Sequence, residues 1–313
     1  MKQILVLGSL NIDFVQRVSR MPAPGETLRG EDLATHVGGK GANQACAAAL
    51  LGGKVSFAGM VGSDQFAPRL QTELQAAGVD MHLVGISPRS SGTALILVLP
   101  TGENVIVISP GANGDVSRDV ALASVCHLQR GDLLLCQLEI PLDSVAAALR
   151  AAYAKGVITM LDPAPASALP DDLLRSVSIL TPNQTEASLL CGRALPVETM
   201  PDAEQAAREL RRRGAGAIIV KMGAQGCLVW HEETAIQSPA FPSTVVDTTA
   251  AGDTFNGALA VALAEGLAMD RAARFANAAA ALSVKKAGAI SSIPNRLDVD
   301  ALLANRKGQE KAS

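Results

Sequence analysis

The chain has 313 residues, 48% hydrophobic and 18% charged, enough for a large core in one big α/β domain or in a domain with a small addition. A net charge of −3 and an isoelectric point near 5.8 exclude a bulk pull toward nucleic acid or an anionic membrane. No apolar run reaches the roughly 18 residues needed to span a bilayer, and the five scattered cysteines form no CxxC pair, so neither a zinc site nor a disulfide framework is suggested. The apolar part of MKQILVLGSLNID is too short for a signal peptide, so a first buried strand and a reduced, cytoplasmic setting are expected.

In chain order, ILVLG, VSFAGMVG, DLLLCQL, GVITMLD, VSILTP and GAIIVKMG read as continuously apolar strands of a parallel sheet covered on both faces. Between them lie GANQACAAALLGG, FAPRLQTELQAAG, DSVAAALRAAYAKG, TEASLLCG and AEQAARELRRRG, which have helical periodicity and end in Gly. The alternation predicts a doubly wound, mostly parallel α/β sheet with right-handed crossovers, made by residues 1–11, 38–90 and 110–305. Residues 12–37 and 91–109 break the rhythm, the second as a hairpin around Pro100 to Glu103, and neither is followed by a crossover helix. They predict a small inserted β-sheet of the kind that serves as a lid, with an apolar face for a second subunit to cover. Residues 306–313 are expected to fray.

Ligands of open α/β sheets bind at the C-terminal ends of the strands. After strand one come Asn11 and Asp13, facing one way if extended; VGGKGANQ then opens a helix that carries Lys40 and Asn43 on one face, and Glu139 ends a later strand. Amides and carboxylates on one rim suit a polyhydroxylated ligand. Each also has a bland reading: a turn at Asn11, a helix start at the glycines, a solvated strand end at Glu139. Asn183 and Glu186 in TPNQTE are either a helix start with an acidic first turn or a water-mediated Mg²⁺ site. KMGAQG, residues 221–226, offers Gly223 and Gly226 for nucleotide contact or makes an ordinary hairpin turn. Lys221 touches a phosphate or, the preferred reading, ends its strand in water.

DTTAAGDTFNG, residues 247–257, sets Ala250, Ala251 and Gly252 at a helix N-terminus, where backbone N–H groups bind phosphate oxygens. Asp253 follows in the first turn; the helix dipole is expected to lower its pKa and leave an ionised carboxylate that accepts a hydroxyl proton during phosphoryl transfer. A capped helix with an acidic first turn is the alternative. No GxxxxGK[ST] occurs and no GxGxxG follows strand one, so P-loop and dinucleotide sites are not expected.

GGKGANQ and DTTAAGDTFNG together resemble the two signatures of the ribokinase family of sugar kinases, and GSLNID, PAPGET, the GENVI hairpin, QLE, DPAPA, TPNQTE and KKAGAISSIP extend the resemblance nearly end to end. It implies a ribokinase-like fold and ATP-dependent phosphorylation of D-ribose at O5. It also implies that Asn11, Asp13, Gly39, Lys40, Asn43 and Glu139 hold the sugar, and that Asp253 is the base and touches the ribose. Ala250, Ala251 and Gly252 would form the anion hole, with Asn183 and Glu186 organising Mg²⁺ and phosphates. Lys221, Gly223, Gly226, Gly252 and Asn277 would line the ATP site. K⁺ would activate from a site made by Asp247, Thr249, Ser283, Lys286, Gly288 and Ser292, and two copies would join through their β lids. A kinase of 2-deoxyribose, another pentose or a nucleoside, and a non-catalytic sugar-binding regulator, are the alternatives. One position departs from the family: Ala250 stands where Gly is usual and, because Ala tolerates positive φ poorly, an ordinary backbone angle is expected there.

Overall fold

In the computed structural model, residues 1–101, 103–192 and 197–310 are described, the last five of them by backbone alone. Among these, the apolar runs form a nine-stranded sheet, and the two segments that break the rhythm form a separate four-stranded one. The strands are β1 Gln3–Leu7, β2 Asn11–Arg17, β3 Ala34–Gly38, β4 Lys54–Gly62, β5 Asp80–Ser87, β6 Gly92–Val98, β7 Asn104–Ser109, β8 Leu133–Cys136, β9 Ile158–Leu161, β10 Ile179–Leu180, β11 Ala217–Lys221, β12 Cys227–His231 and β13 Thr234–Ser238. The helices are α1 Lys40–Leu50, α2 Ala67–Ala76, α3 Arg118–Ser124, α4 Leu142–Ala154, α5 Asp171–Leu174, α6 Gln184–Leu190, α7 Met200–Arg212, α8 Ala251–Ala264, α9 Met269–Ser283 and α10 Arg296–Glu310.

The large sheet runs β13-β12-β11-β10-β9-β8-β1-β4-β5, parallel from β11 to β5 and antiparallel only in the β11–β12–β13 corner. Its central strands are almost wholly apolar because each face has its own core. Ile4, Val6, Leu133 and Leu135 join the cluster under α1, α8 and α9. Leu5, Leu7, Leu134 and Cys136 join the opposite one under α4 and α7. Alternation along a strand therefore separates two cores rather than core from solvent.

The small sheet runs β3-β2-β6-β7, with β2 parallel to β6 and the other pairs antiparallel. Its strands lie in the two segments that break the rhythm, except that Asn11 opens β2 and Gly38 closes β3, both of which were expected in the large domain. Gly102, which the expected hairpin around Pro100 to Glu103 includes, lies outside the described residues. The tail expected to fray from residue 306 is helical as far as Glu310, and residues 311–313 also lie outside the described part.

Two elements at the sheet edges escape a sequence reading. β5 adds a parallel strand beyond β4. The β12–β13 hairpin closes through Glu232 and Glu233 at φ 48° and 58°, the left-handed pair of a two-residue hairpin turn. That turn is normally signalled by Asn-Gly or Asp-Gly, so a Glu-Glu pair hides it.

Candidate active site

The N-terminus of α1 is assembled from three separated segments. Gly39, the N-cap, sits at φ 90° and has no side chain with which to cap the helix. Glu139, just after β8, replaces that cap: its Oε2 accepts from Lys40 N at 3.0 Å and from Ser9 Oγ at 2.6 Å. Glu139 is thus an anchored carboxylate at a helix N-terminus, not a solvated strand end. Asn11 is buried at 2% exposure, and its Oδ1 accepts from Asn113 Nδ2 at 2.7 Å, while Asn113 is itself clamped to the Leu10 backbone. Asp13 folds against Gly38, where a Cβ would stand 2.1 Å from Asp13 Oδ2. Burial, and then the charges of Glu139 and Asp253, push the Asp13 carboxyl up to about 7.

The two signature helices meet at Asp253, in the first turn of α8. Its Oδ2 accepts from Asn43 Nδ2 at 3.0 Å and its Oδ1 from Gln44 Nε2 at 2.9 Å. The sequence expectation for its acidity is overturned. Burial raises the Asp253 pKa, and the opposing pull of Lys40, Gln44 and Asn43 does not reverse it, while Asp162 adds to the rise. A buried carboxylate of raised basicity is better matched to accepting a hydroxyl proton than a dipole-lowered one. Lys40 is surrounded by charge: burial opposes its ammonium, but Asp253, Asp162, Glu139 and Glu186 hold it in the charged form. Asn43 Oδ1 is buried with no protein partner, an acceptor beside Asp253 that a ligand hydroxyl would satisfy.

On the other side of Asp253 lies a cavity of about 450 Å³ whose wall includes Lys40, Asp162, Asn183, Glu186, Lys221, Gly223 and the turn Ala250 to Asp253. Ala250 adopts φ 57°, ψ 13°, against expectation. The loop must turn sharply into α8, and the left-handed angle is imposed despite a cost of about 1–2 kcal/mol for a residue with a Cβ. Ala251 N donates to Thr248 O at 3.2 Å, so this N–H already has a partner within the loop. A Cβ on Gly252 would have open space with only Lys221 Nζ nearby, at 3.5 Å, which leaves Gly252 facing the cavity.

Lys221 is not the water-exposed strand-end lysine that was preferred from sequence. Its side chain is 13% exposed and its Nζ lies 2.9 Å from Oδ1 of Asp162, itself 2% exposed. Asn183 and Glu186 form a reciprocal capping box on α6, with Asn183 N to Glu186 Oε2 at 2.7 Å and Glu186 N to Asn183 Oδ1 at 2.8 Å. Both Glu186 oxygens are engaged by Asn183, since Asn183 Nδ2 takes Oε1 at 2.9 Å, so a cation would be held here through water. Burial first, and then Asp162, raise the Glu186 pKa against Lys221.

Gly226 and Asn277 are placed away from this wall. Gly226, at φ 93°, closes the turn into β12, where a Cβ would stand 2.1 Å from Ser238 O. Asn277 Nδ2 binds Ser238 O at 2.9 Å and Ser238 Oγ at 3.0 Å, tying α9 to the end of β13. Of the residues expected around a cation, Asp247, Thr249 and Gly288 are joined by hydrogen bonds. Asp247 Oδ1 accepts from Thr249 N and Oγ1, and Oδ2 accepts from Gly288 N at 2.9 Å. Burial works against its charge, but these bonds win and lower its pKa. Ser283 and Ser292 are buried nearby in sequence, each hydroxyl donating to a local carbonyl, and Lys286 N donates to Ser283 O. Among the described residues no three His, Cys, Asp or Glu side chains gather as a metal centre. The one carboxylate of this loop, Asp247, has both oxygens engaged by Thr249 and Gly288.

Four residues that sequence reasoning gave no role shape the site: Ser9, Gln44, Asn113 and Asp162. Asp162 follows β9, so the strand-end rule applied to every strand would have found it. Gln44 is adjacent to Asn43 in the signature. Asn113 joins Asn11 across 102 residues of chain and carries no local signal.

The model of the pfkB family of carbohydrate kinases matches residues 1–296. The chain is 42% identical to a ribokinase of Haemophilus influenzae over 296 residues, 94% of this chain and 96% of that protein. It is 39% identical to a ribokinase of Bacillus subtilis, over 97% of this chain and all of the relative. The structure of Arabidopsis thaliana ribokinase complexed with ribose and ATP superposes with a TM-score of 0.89 at 36% identity, covering 96% of this chain and 98% of that one. A match over nearly the whole length, in both sequence and fold, makes this chain a member of the pfkB family of carbohydrate kinases.

Proposed function

We propose that this chain transfers the γ-phosphoryl group of ATP to O5 of D-ribose, giving D-ribose 5-phosphate. The observation that carries this reading is Asp253: a buried carboxylate, oriented by Asn43 and Gln44, between a rim of hydrogen-bonding groups and a cavity walled by a helix N-terminus. Ribose is held by Asn11, Asp13, the Gly39 backbone, Lys40, Asn43 and Glu139. Asp253 takes the proton from the 5-hydroxyl as that oxygen attacks. The first-turn amides of α8, with Gly252 the open one, steady the charge on the migrating phosphoryl group. Lys40 and Lys221 add positive charge on the cavity side. The triphosphate lies along Asn183, Glu186, Lys221 and Gly223, while Gly226 and Asn277 support the adenine side by holding the β12–β13 hairpin.

Asn183 and Glu186 would hold Mg²⁺ through water, and the ion would supply charge neutralisation on the phosphates. Asp247 and Thr249, with the loop carrying Ser283, Lys286, Gly288 and Ser292, would hold K⁺, which would supply positive charge beside the anion hole. The small sheet closes over the sugar as a lid, and its uncovered apolar face joins a second copy in a homodimer. The setting is cytoplasmic. A coupled ADP-release assay across pentoses, with and without K⁺, tests the reading. Ribose is expected to give the highest kcat/KM, because a site built for a hydroxyl leaves buried groups unpaired when it is missing. A higher kcat/KM on 2-deoxyribose or a nucleoside overturns the substrate, and indifference to K⁺ overturns the ion site.

A further inference from the structure

The signature helix α1 carries a second amide, one residue beyond the expected sugar contact. Gln44 is completely buried, in a position where an apolar residue would be the ordinary choice. Its Nε2 donates to two carboxylates at once, Asp253 Oδ1 at 2.9 Å and Asp162 Oδ2 at 2.8 Å. Its Oε1 accepts from Gln137 Nε2 at 2.7 Å. Asp162 uses its other oxygen on Lys221 Nζ at 2.9 Å. A continuous chain thus runs Gln137, Gln44, Asp162, Lys221, with Asp253 branching from Gln44.

The backbone has been fitted around this chain. A Cβ on Gly257 would stand 2.7 Å from Gln44 O and 2.8 Å from Ala48 N, so only glycine lets α8 press this closely onto α1 at Gln44. A Cβ on Gly8 would fall 2.1 Å from Gln137 Oε1, so the space beside β1 is reserved for that amide. The first close approach seats α8 on the Gln44 backbone, and the second leaves room for the Gln137 amide that donates to Gln44 Oε1.

We propose that Gln44 is a positioning residue of the phosphoryl-transfer centre, whose single amide nitrogen ties Asp253 to the Asp162–Lys221 pair so that the base and the cationic wall of the phosphate cavity are held as one unit. This rests on the function proposed above and deepens it. The consequence is mechanical: the Asp253 carboxylate cannot rotate without breaking a bond that also orients Asp162. It is electrostatic as well. Asp253 faces Lys40, Asp162 and the carboxyl of Asp13; the bond from Gln44 lowers its pKa and the charge of Asp162 raises it, so the two links act on the base in opposite directions.

Those opposite signs supply the test, on the full-length chain. Gln44→Met keeps the volume and removes both donated bonds. It is expected to lower kcat about ten- to hundredfold, as small misplacements of a reacting group do, with both KM values within about threefold. In the sugar-free protein, a ¹³C titration of the Asp253 carboxyl, assigned by its loss in Asp253→Asn, should move to higher pH in Gln44→Met. In Asp162→Asn it should move to lower pH. A merely structural glutamine would alter stability and leave the titration in place. Gln44→Met with wild-type kcat and an unmoved titration overturns the proposal. If that variant fails to fold, Asp162→Asn with an unmoved or oppositely shifted titration overturns it instead. Because the titration needs no substrate, it decides the tie even if ribose proves to be the wrong sugar, which the pentose assay reads separately.

Discussion

The two sheets solve the same problem differently. The nine-stranded sheet is covered on both faces: residues 4–7 and 133–136 are at most 1% exposed and divide between two cores. The four-stranded sheet is left half finished, with all six residues of β7 exposed and the cross-strand pair Leu95 and Val107 at 48% and 60%. The large sheet can therefore fix a reaction centre, since Asp253 is buried and both of its oxygens are held, by Asn43 and Gln44. The small sheet contributes Asn11 and Asp13 to that centre while keeping apolar surface that only a further contact would bury. The finished region holds Asp253 and its partners, and the unfinished one carries the exposed apolar surface on which the proposed lid and assembly depend.

The sharpest way to break this division is Asp253→Asn. Asparagine has one carbonyl oxygen for two incoming donors, Asn43 Nδ2 and Gln44 Nε2, and cannot take a proton. Turnover should fall about 10²- to 10⁴-fold while sugar affinity stays within tenfold. Steady-state kinetics and calorimetry check it, and unimpaired turnover would remove Asp253 from the mechanism.

The next largest effect lies on the small-sheet side. The folded Asp13 value near 7 is above its ordinary 3.8, so the free protein keeps a proton that the unfolded chain would release. The stability this proton confers is present below the ordinary range and is lost as pH rises through about 7. Sugar hydroxyls need the ionised carboxylate as acceptor, so ribose affinity should weaken below pH 7 by up to about tenfold per unit. Asp13→Asn should bind more weakly at pH 8 but with a shallower slope; calorimetry at pH 6, 7 and 8 reads both.

A third change addresses the uncovered face alone. Val107→Glu puts a charge on the exposed strand β7, and is expected to shift a dimer toward monomer in sedimentation at micromolar concentration without lowering Tm. A monomeric wild type would refute the assembly. The smallest effect belongs to the large-sheet side. Ala250→Gly relieves the left-handed angle at φ 57° but adds chain entropy to the unfolded state, so a net gain of at most about 1 kcal/mol is expected in urea denaturation. A loss of stability would show that the Ala250 methyl makes packing contacts worth more than the strain.

The resemblance carried by GGKGANQ and DTTAAGDTFNG was legible because each is a local device: glycines that let α1 start where another segment supplies the cap, and small residues that bring amides to the α8 N-terminus. The signs of the electrostatics were not. The dipole argument for Asp253 uses only its own helix, whereas the raised pKa comes from burial by the whole fold. Lys221 reads as a strand-end lysine until Asp162, 59 residues away, is seen beside it.

Sequence alone determined the alternation of elements, the small inserted sheet and the two signature turns, since periodicity and glycine placement act over a few residues. Only the tertiary structure decided that Asn113 steadies Asn11, that Glu139 caps α1, and that Gln44 joins two carboxylates across 209 and 118 residues. Hydrogen bonds and desolvation depend on what lies within a few ångströms in space, and chain order does not encode that until the layers have packed.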